Sequence, residues 1–115
     1  MGKITTAVFE PGSTTANVYG LWQYDYGQML RIQGLHLPSA VEIHFSLQET
    51  GGTSVSRVGV TKDGVTDVII PDSMLENDGA TRNYDMFAFV YLTDDTSGQT
   101  EYKIKLQVKS RPKPE

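Results

Sequence analysis

The feature that most constrains the fold is an alternation of apolar and polar residues that recurs in short segments along the whole chain. Eight such segments, rich in β-branched and aromatic residues, cover positions 4–9, 18–24, 29–33, 41–46, 55–60, 65–70, 84–93 and 102–109. In the last of them the apolar side chains run from Tyr102 to Val108 in steps of two, between charged and amide side chains. Alternation of this kind at intervals of about ten to twelve residues is typical of a β-sandwich. The sequence therefore predicts an all-β fold, an antiparallel β-sandwich of the immunoglobulin-like or jelly-roll-like kind with about eight strands.

One segment, residues 71–79, lacks the alternation. Ser73 and Glu76 have the spacing of a capping box, two apolar residues lie between them, and Gly79 follows as a stop signal. This pattern predicts one short helical turn near residues 73–77 that carries the chain from one sheet to the other. We expect Met74 and Leu75 to close one end of the core.

The length and the C-terminal residues predict the domain organisation. A chain of 115 residues is long enough for one hydrophobic core. After the last alternating segment come Ser110 and Arg111, followed by Pro112 and Pro114 on either side of a lysine. Proline cannot donate a hydrogen bond to a strand ladder and favours an extended, solvated backbone. We therefore predict a β-sandwich module over residues 1–109 and a Pro/Lys-rich linker over residues 110–115 that contributes little to stability.

Composition excludes several classes of function. The net charge of −4 argues against binding to nucleic acid or to an anionic membrane. The chain has no cysteine, no signal peptide and no apolar run of membrane-spanning length, which predicts a protein that is made in a cytoplasm and stays soluble. His36 and His44 stand apart, and the carboxylates are scattered through turns, so neither a metal site nor an acid–base pair is indicated. The sequence predicts a protein that is not an enzyme and that has no catalytic residues, cofactor or metal.

Aromatic residues are the sharpest candidates for a binding surface. Tyr19, Trp22, Tyr24 and Tyr26 fall within eight residues of one another. Exposed aromatic side chains can stack on sugar rings or anchor a protein interface. The alternative is that some of them fill the core. We expect Trp22 to lie in the core, on the same strand face as Tyr24, and Tyr26 to be exposed at a turn.

A second candidate surface comes from segment 84–93, which is apolar on both faces. One face belongs in the core, and the other has to be covered by a loop, a tail or a partner. The predicted partner or glycan contacts on the two surfaces together are Tyr19, Tyr24, Tyr26, Phe87, Phe89 and Tyr91.

Three stretches in combination point to a family. They cover residues 20–30 (GLWQYDYGQML), residues 34–46 (GLHLPSAVEIHFS), and residues 88–93 (AFVYLT) with their continuation through 98–104 to 111–114. This pattern resembles the N-terminal β-sandwich module of tail-fibre, baseplate and head-fibre-like structural proteins of phages and prophages of Firmicutes. The resemblance implies synthesis in the bacterial host cytoplasm, a location in the virion, other virion proteins as partners, homo-oligomerisation, and a stalk or further domain after the RPKP segment.

These observations give one expected function and two alternatives. The expected function is that of a non-enzymatic attachment or display module of the phage virion. The first alternative is a carbohydrate-binding module for host-surface glycans, with the aromatic cluster as its stacking platform. The second is a capsid decoration protein, which would bind assembled capsids rather than tails.

Overall fold

The computed structural model describes residues 3–49, 54–77, 81–94 and 98–112. Nearly all of the regular structure in these residues is β, as predicted, and each alternating segment corresponds to one strand. The elements are β1 (Ile4–Val8), β2 (Thr15–Trp22), β3 (Met29–Gln33), β4 (Ala40–Ser46), β5 (Ser54–Lys62), β6 (Val65–Ile69), α1 (Asp72–Glu76), β7 (Tyr84–Asp94) and β8 (Gly98–Lys109).

The strands form one mixed sheet in the order β1-β3-β6-β5-β4-β7-β8-β2. Its two outermost strands, β1 and β2, lie against each other, so the sheet nearly closes into a barrel. The Lys3 ammonium donates a hydrogen bond to the Gly20 carbonyl across this junction. The pairs β1–β3 and β2–β8 are parallel, and the other pairs are antiparallel. The prediction of purely antiparallel pairing is therefore wrong for β1 and β2. Alternation determines which face a side chain occupies, but it carries no information on the direction of the neighbouring strand.

The core is built from inward-facing residues of every strand except β5, whose Val55 packs against its edge, and β7 and β8 lie at its centre. Met86, Ala88 and Val90 of β7 are fully buried, and so are Ile104, Leu106 and Val108 of β8. Helix α1 closes one end of this core with Met74 and Leu75, as predicted.

The ends of α1 differ from the prediction. The N-cap residue is Pro71, and no side chain caps the helix, so the predicted capping box does not form. The helix begins at Asp72, one residue before the predicted start, which places Ser73 inside the first turn. The Asp72 carboxylate instead accepts a hydrogen bond of 2.9 Å from the backbone N–H of Gly27. The helix ends at Glu76, and its C-cap residue, Asn77, is left-handed with φ 32°. The predicted stop at Gly79 lies outside the described residues.

An irregularity in β2 changes which aromatic residues reach the core. The register with β8 shifts between Val18 and Leu21, where Gly20 has a φ of 97°. This bulge adds a residue and reverses the alternation downstream of it. Leu21 is therefore buried, whereas Trp22 is 40% exposed, with the Lys109 ammonium 5.4 Å from its ring centroid. The prediction that Trp22 lies in the core is wrong.

Candidate interaction surfaces

The outer face of β7 and β8 is covered by charged side chains of the same domain. Phe87 and Phe89 stack with ring centroids 6.3 Å apart, and they are only 8% and 9% exposed. Lys105 lies directly opposite Phe87 in the ladder, and Lys103 lies opposite Phe89. The aliphatic stems of lysines placed in this way can cover apolar rings while their ammonium groups stay in water.

Ion pairs hold these lysines in place. The Lys103 ammonium lies 2.9 Å from the Glu49 carboxylate, and the Lys105 ammonium lies 3.6 Å from the Asp85 carboxylate. Hydrogen bonding to Lys103 lowers the pKa of Glu49 below its usual value. The second apolar side of β7 is thus covered within the domain. Phe87 and Phe89 are buried in the isolated chain, and their role as partner contacts stays a prediction that requires the lysines to move.

Tyr91 lies on the same face of β7 as Phe87 and Phe89, but its side chain is 40% exposed. Its ring lies edge-on to His44, with the centroids 5.7 Å apart. The two ring nitrogens of His44 contact the Glu42 carboxylate at 3.2 Å and the Ser56 hydroxyl at 3.0 Å. His44 is thus held in a surface cluster on β4 and β5, and its contacts there are structural.

The three remaining candidates lie in different places along β2 and the turn that follows it. Tyr19 is 67% exposed and borders a small groove of about 130 Å³ next to Asp85 and Lys105. Tyr26 is 47% exposed, and its hydroxyl lies 3.5 Å from a carboxylate oxygen of Glu76 on α1. Tyr24 is half-buried in a left-handed conformation with φ 70°. Tyr19 and Tyr26 are therefore accessible for contacts, and Tyr24 is mainly part of the turn.

The structure reveals a polar cluster around Gln23, at the point where the chain leaves β8. The Gln23 side chain is fully buried. Its amide nitrogen donates to the backbone carbonyls of Glu76 at 2.9 Å and Asn77 at 3.1 Å. Its amide oxygen accepts a hydrogen bond of 3.2 Å from the backbone N–H of Arg111. One buried amide therefore joins β2, the end of α1 and the C-terminal segment.

The Arg111 side chain adds two further bonds to this cluster. Its Nε donates to the Gln23 carbonyl at 2.6 Å, and its terminal nitrogen lies 2.8 Å from the Asp25 carboxylate. The preceding residue, Ser110, donates its backbone N–H to the Asn83 side chain at 3.0 Å. The strand ladder ends at Lys109 as expected, but the next two residues are anchored. Ser110 and Arg111 thus contact the domain, and the small contribution of residues 110–115 to stability stays a prediction.

Two backbone carbonyls of α1 accept hydrogen bonds from tyrosines near the Gln23 cluster. The Leu75 carbonyl accepts a bond of 2.9 Å from the backbone N–H of Tyr24. The Met74 carbonyl accepts a bond of 2.6 Å from the Tyr84 hydroxyl. Burial, with a smaller contribution from the charge of Tyr24, raises the pKa of Tyr84 to about 12. A shallow groove of about 330 Å³ opens beside this cluster, lined by Thr81, Ser110, Arg111 and Pro112.

Sequence reasoning did not identify the Gln23 cluster, although one signal for it was present. A glycine inside a strand often marks a bulge, and a bulge at Gly20 turns Gln23 inward together with Leu21. Without that shift the alternation places Gln23 on the outer face.

No family model and no curated relative matches the chain. Among residues 3–49, 54–77, 81–94 and 98–112, no three His, Cys, Asp or Glu side chains converge in a way that could hold a metal ion. In the same part of the chain, no helix has the length and apolar character needed to cross a membrane.

Proposed function

We propose that this chain is a non-enzymatic structural module of a phage virion, which docks to the particle and displays the polypeptide that follows its last strand. The observation that carries the proposal is the anchoring of Arg111 by Gln23 and Asp25. A segment held by three polar contacts leaves the domain in a defined direction. A display module needs such a fixed direction.

The position of β8 supports the same function. This strand is hydrogen-bonded to β7 along one edge and to β2 along the other. A force applied to the C-terminal segment along the strand axis would shear both ladders at once, so many hydrogen bonds would share the load. An appendage that contacts a host cell has to withstand forces of this kind.

The function is tested on phage particles purified from lysates of the strain that carries the gene. Mass spectrometry should detect the chain in particles that have been purified to constant protein composition. Gold-labelled antibodies against the chain should decorate the tail or the baseplate, or fibres attached to the head. Uniform labelling of the capsid shell would favour a decoration protein, and absence of the chain from purified particles would refute a virion role.

The exposed aromatic residues support carbohydrate binding as a second candidate. Tyr19, Trp22 and Tyr26 each expose at least 40% of their surface, which is enough aromatic surface for stacking on sugars. A glycan array provides the test: selective micromolar binding that Tyr26→Ala abolishes and Tyr91→Ala retains would favour this candidate. An array without selective binding would argue against it.

We also propose that the sheet is an immunoglobulin-like sandwich of two layers, β1-β3-β6 and β7-β8-β2, which the β4–β5 hairpin joins. Two short pairings support this division. Strand β5 pairs with β6 only over its last three residues, and β4 pairs with β7 only over residues 43–46. Strands β4 and β5 pair with each other along the whole of β4, so the hairpin can turn from one layer to the other as a unit. A crystal structure in which β5 pairs with β6 and β4 pairs with β7 along their whole lengths would contradict the division.

A further inference from the structure

We propose that the outer face of β1, β3, β6 and β5 is an interface between two copies of this chain. This inference goes beyond the proposed function and uses none of the residues that support it. The face carries five aliphatic side chains that are each between 49% and 64% exposed. We call these residues the aliphatic face: Ile4, Val8, Val58, Val60 and Ile69.

Strand register brings these side chains into neighbouring rows. Ile4 is opposite Met29, and Met29 is opposite Ile69. Val58 lies on the same face of β5 as Val60 and two residues before it, towards the end of β6 that carries Ile69. Val60 is opposite Asp67 in the adjacent row. The aliphatic face is thus one surface of a sheet rather than a set of scattered exposed residues.

The centre of this surface carries no net charge. Arg31 and Asp67 are opposite each other on β3 and β6 and form a bidentate pair, with N–O distances of 2.8 Å and 3.0 Å. Hydrogen bonding to Arg31 also lowers the pKa of Asp67. Two copies can therefore bring these faces together without like-charge repulsion, although each chain has a net charge of −4. On the outer face of β7 and β8, by contrast, the rings of Phe87 and Phe89 are already buried within the domain.

The exposed area is appropriate for a dimer of moderate affinity. The five side chains expose on the order of 500 Å² of aliphatic surface, near the upper end of the largest patches on ordinary monomers. Two such faces in contact would bury about 1,000 Å² of aliphatic surface, and the polar residues between the rows would add to it. The sum reaches the range of roughly 1,200–2,000 Å² that specific interfaces bury.

Charge also selects the orientation of the two copies. A two-fold axis parallel to the strands, between β3 and β6, places Arg31 of one copy over Asp67 of the other. A two-fold axis across the strands would instead place Arg31 over Arg31. The first orientation pairs opposite charges and also sets Val58 of one copy over Ile4 of the other. Sheets that pack face to face with nearly aligned strands are the common geometry in β-sandwiches.

The test is sedimentation equilibrium of the purified chain from about 1 to 200 μM, the range in which an interface of this size is expected to associate. The wild-type chain should form dimers. Val58→Lys and Ile4→Glu should each raise the dimer dissociation constant by roughly tenfold or more, because two charges enter an apolar contact. Val58 lies opposite Glu42 within its own sheet, so the ammonium introduced by Val58→Lys has a carboxylate nearby, which favours a folded variant. Circular dichroism verifies that both variants are folded.

Two further samples make the test specific. Tyr19→Lys changes an equally exposed position outside the face and should dimerise like the wild type. An equimolar mixture of Val58→Lys and Ile4→Glu should form a heterodimer, because the ammonium introduced in one chain then meets the carboxylate introduced in the other. A wild-type chain that stays monomeric over the whole range would overturn the proposal. Dimers unaffected by either variant, or a mixture that does not associate, would equally overturn it.

Discussion

Replacing Arg111 with alanine tests whether the C-terminal segment is part of the folded domain. The substitution removes the bond from Nε to the Gln23 carbonyl and the ion pair with Asp25. It keeps the bond between the backbone N–H of residue 111 and the Gln23 side chain. The change therefore isolates the guanidinium group, while the buried amide of Gln23 retains its other partners.

The expected cost follows from these two contacts. The side chains of Arg111 and Asp25 are 34% and 33% exposed, so their ion pair is worth roughly 0.2–1 kcal/mol. A hydrogen bond from a charged donor contributes about 1.5–3 kcal/mol, and the partial exposure of Arg111 favours the lower part of that range. The free energy of unfolding should therefore fall by about 2 kcal/mol. For a domain of this size the melting temperature should fall by roughly 6–10 °C.

Thermal and urea denaturation, followed by circular dichroism, measure the effect. Two truncated chains serve as matched controls. A chain that ends at Arg111 should melt close to the full chain, whereas one that ends at Ser110 should lose at least as much stability as Arg111→Ala. If Arg111→Ala and the chain ending at Ser110 both melt within about 2 °C of the full chain, the contacts of Arg111 contribute less than about 1 kcal/mol to stability. A loss of about 1 kcal/mol would lower the melting temperature by more than 2 °C. The interpretation of this segment as a passive linker would then stand.

Three other predictions follow from the described residues. Leu21→Ala should lower the free energy of unfolding by about 2–5 kcal/mol, because it removes a buried side chain, whereas Trp22→Ala should lower it far less. Urea denaturation measures both variants, and equal losses of stability would contradict the β2 bulge. Gly34→Ala should be severely destabilising, because at φ 92° the new Cβ would lie 2.2 Å from the backbone oxygen of Phe9. Gly12→Ala is the control: Gly12 has a similar φ of 81° but open space around it, so this variant should lose only about 1 kcal/mol of stability. Similar melting temperatures for the two variants would contradict the close approach at Gly34. The raised pKa of Tyr84 means that the folded state favours its neutral form, so this contribution to stability is present below pH 10 and is lost as the pH rises towards 12. Denaturation between pH 9 and 12 should show this loss in the wild type and a smaller one in Tyr84→Phe, and identical profiles would contradict the assignment.

The regular strands could be predicted from sequence because their faces differ in polarity. In β3 the inward residues Leu30 and Ile32 alternate with Arg31 and Gln33, and the predicted and observed bounds coincide. The direction of β1 could not be predicted, because a parallel and an antiparallel neighbour produce the same alternation. The position of Trp22 could not be derived by counting either, because the bulge at Gly20 adds one residue to β2.

The exposed tyrosines at positions 19 and 26 could be predicted as accessible, but the Arg111 anchor could not. Its partners Gln23 and Asp25 are 86 or more residues away in sequence, and no local pattern links such distant positions. The two prolines that follow Arg111 indicate an extended segment, and they do so whether or not the arginine before them is bound. The aliphatic face could not be predicted from sequence for a related reason. Its centre has no net charge only because Arg31 and Asp67, which are 36 residues apart in sequence, pair across two strands.

The most direct test of the central claim is an electron cryomicroscopy reconstruction of phage particles purified from the strain that carries the gene. We predict density for the domain on the tail, on the baseplate or at the attachment point of a head fibre. In that density the cluster of Gln23, Asp25 and Arg111 should face away from the docking surface, with the polypeptide continuing outward from Pro112. A reconstruction in which this end of the domain is buried against the particle, or one without density for the domain, would contradict the proposed role in display.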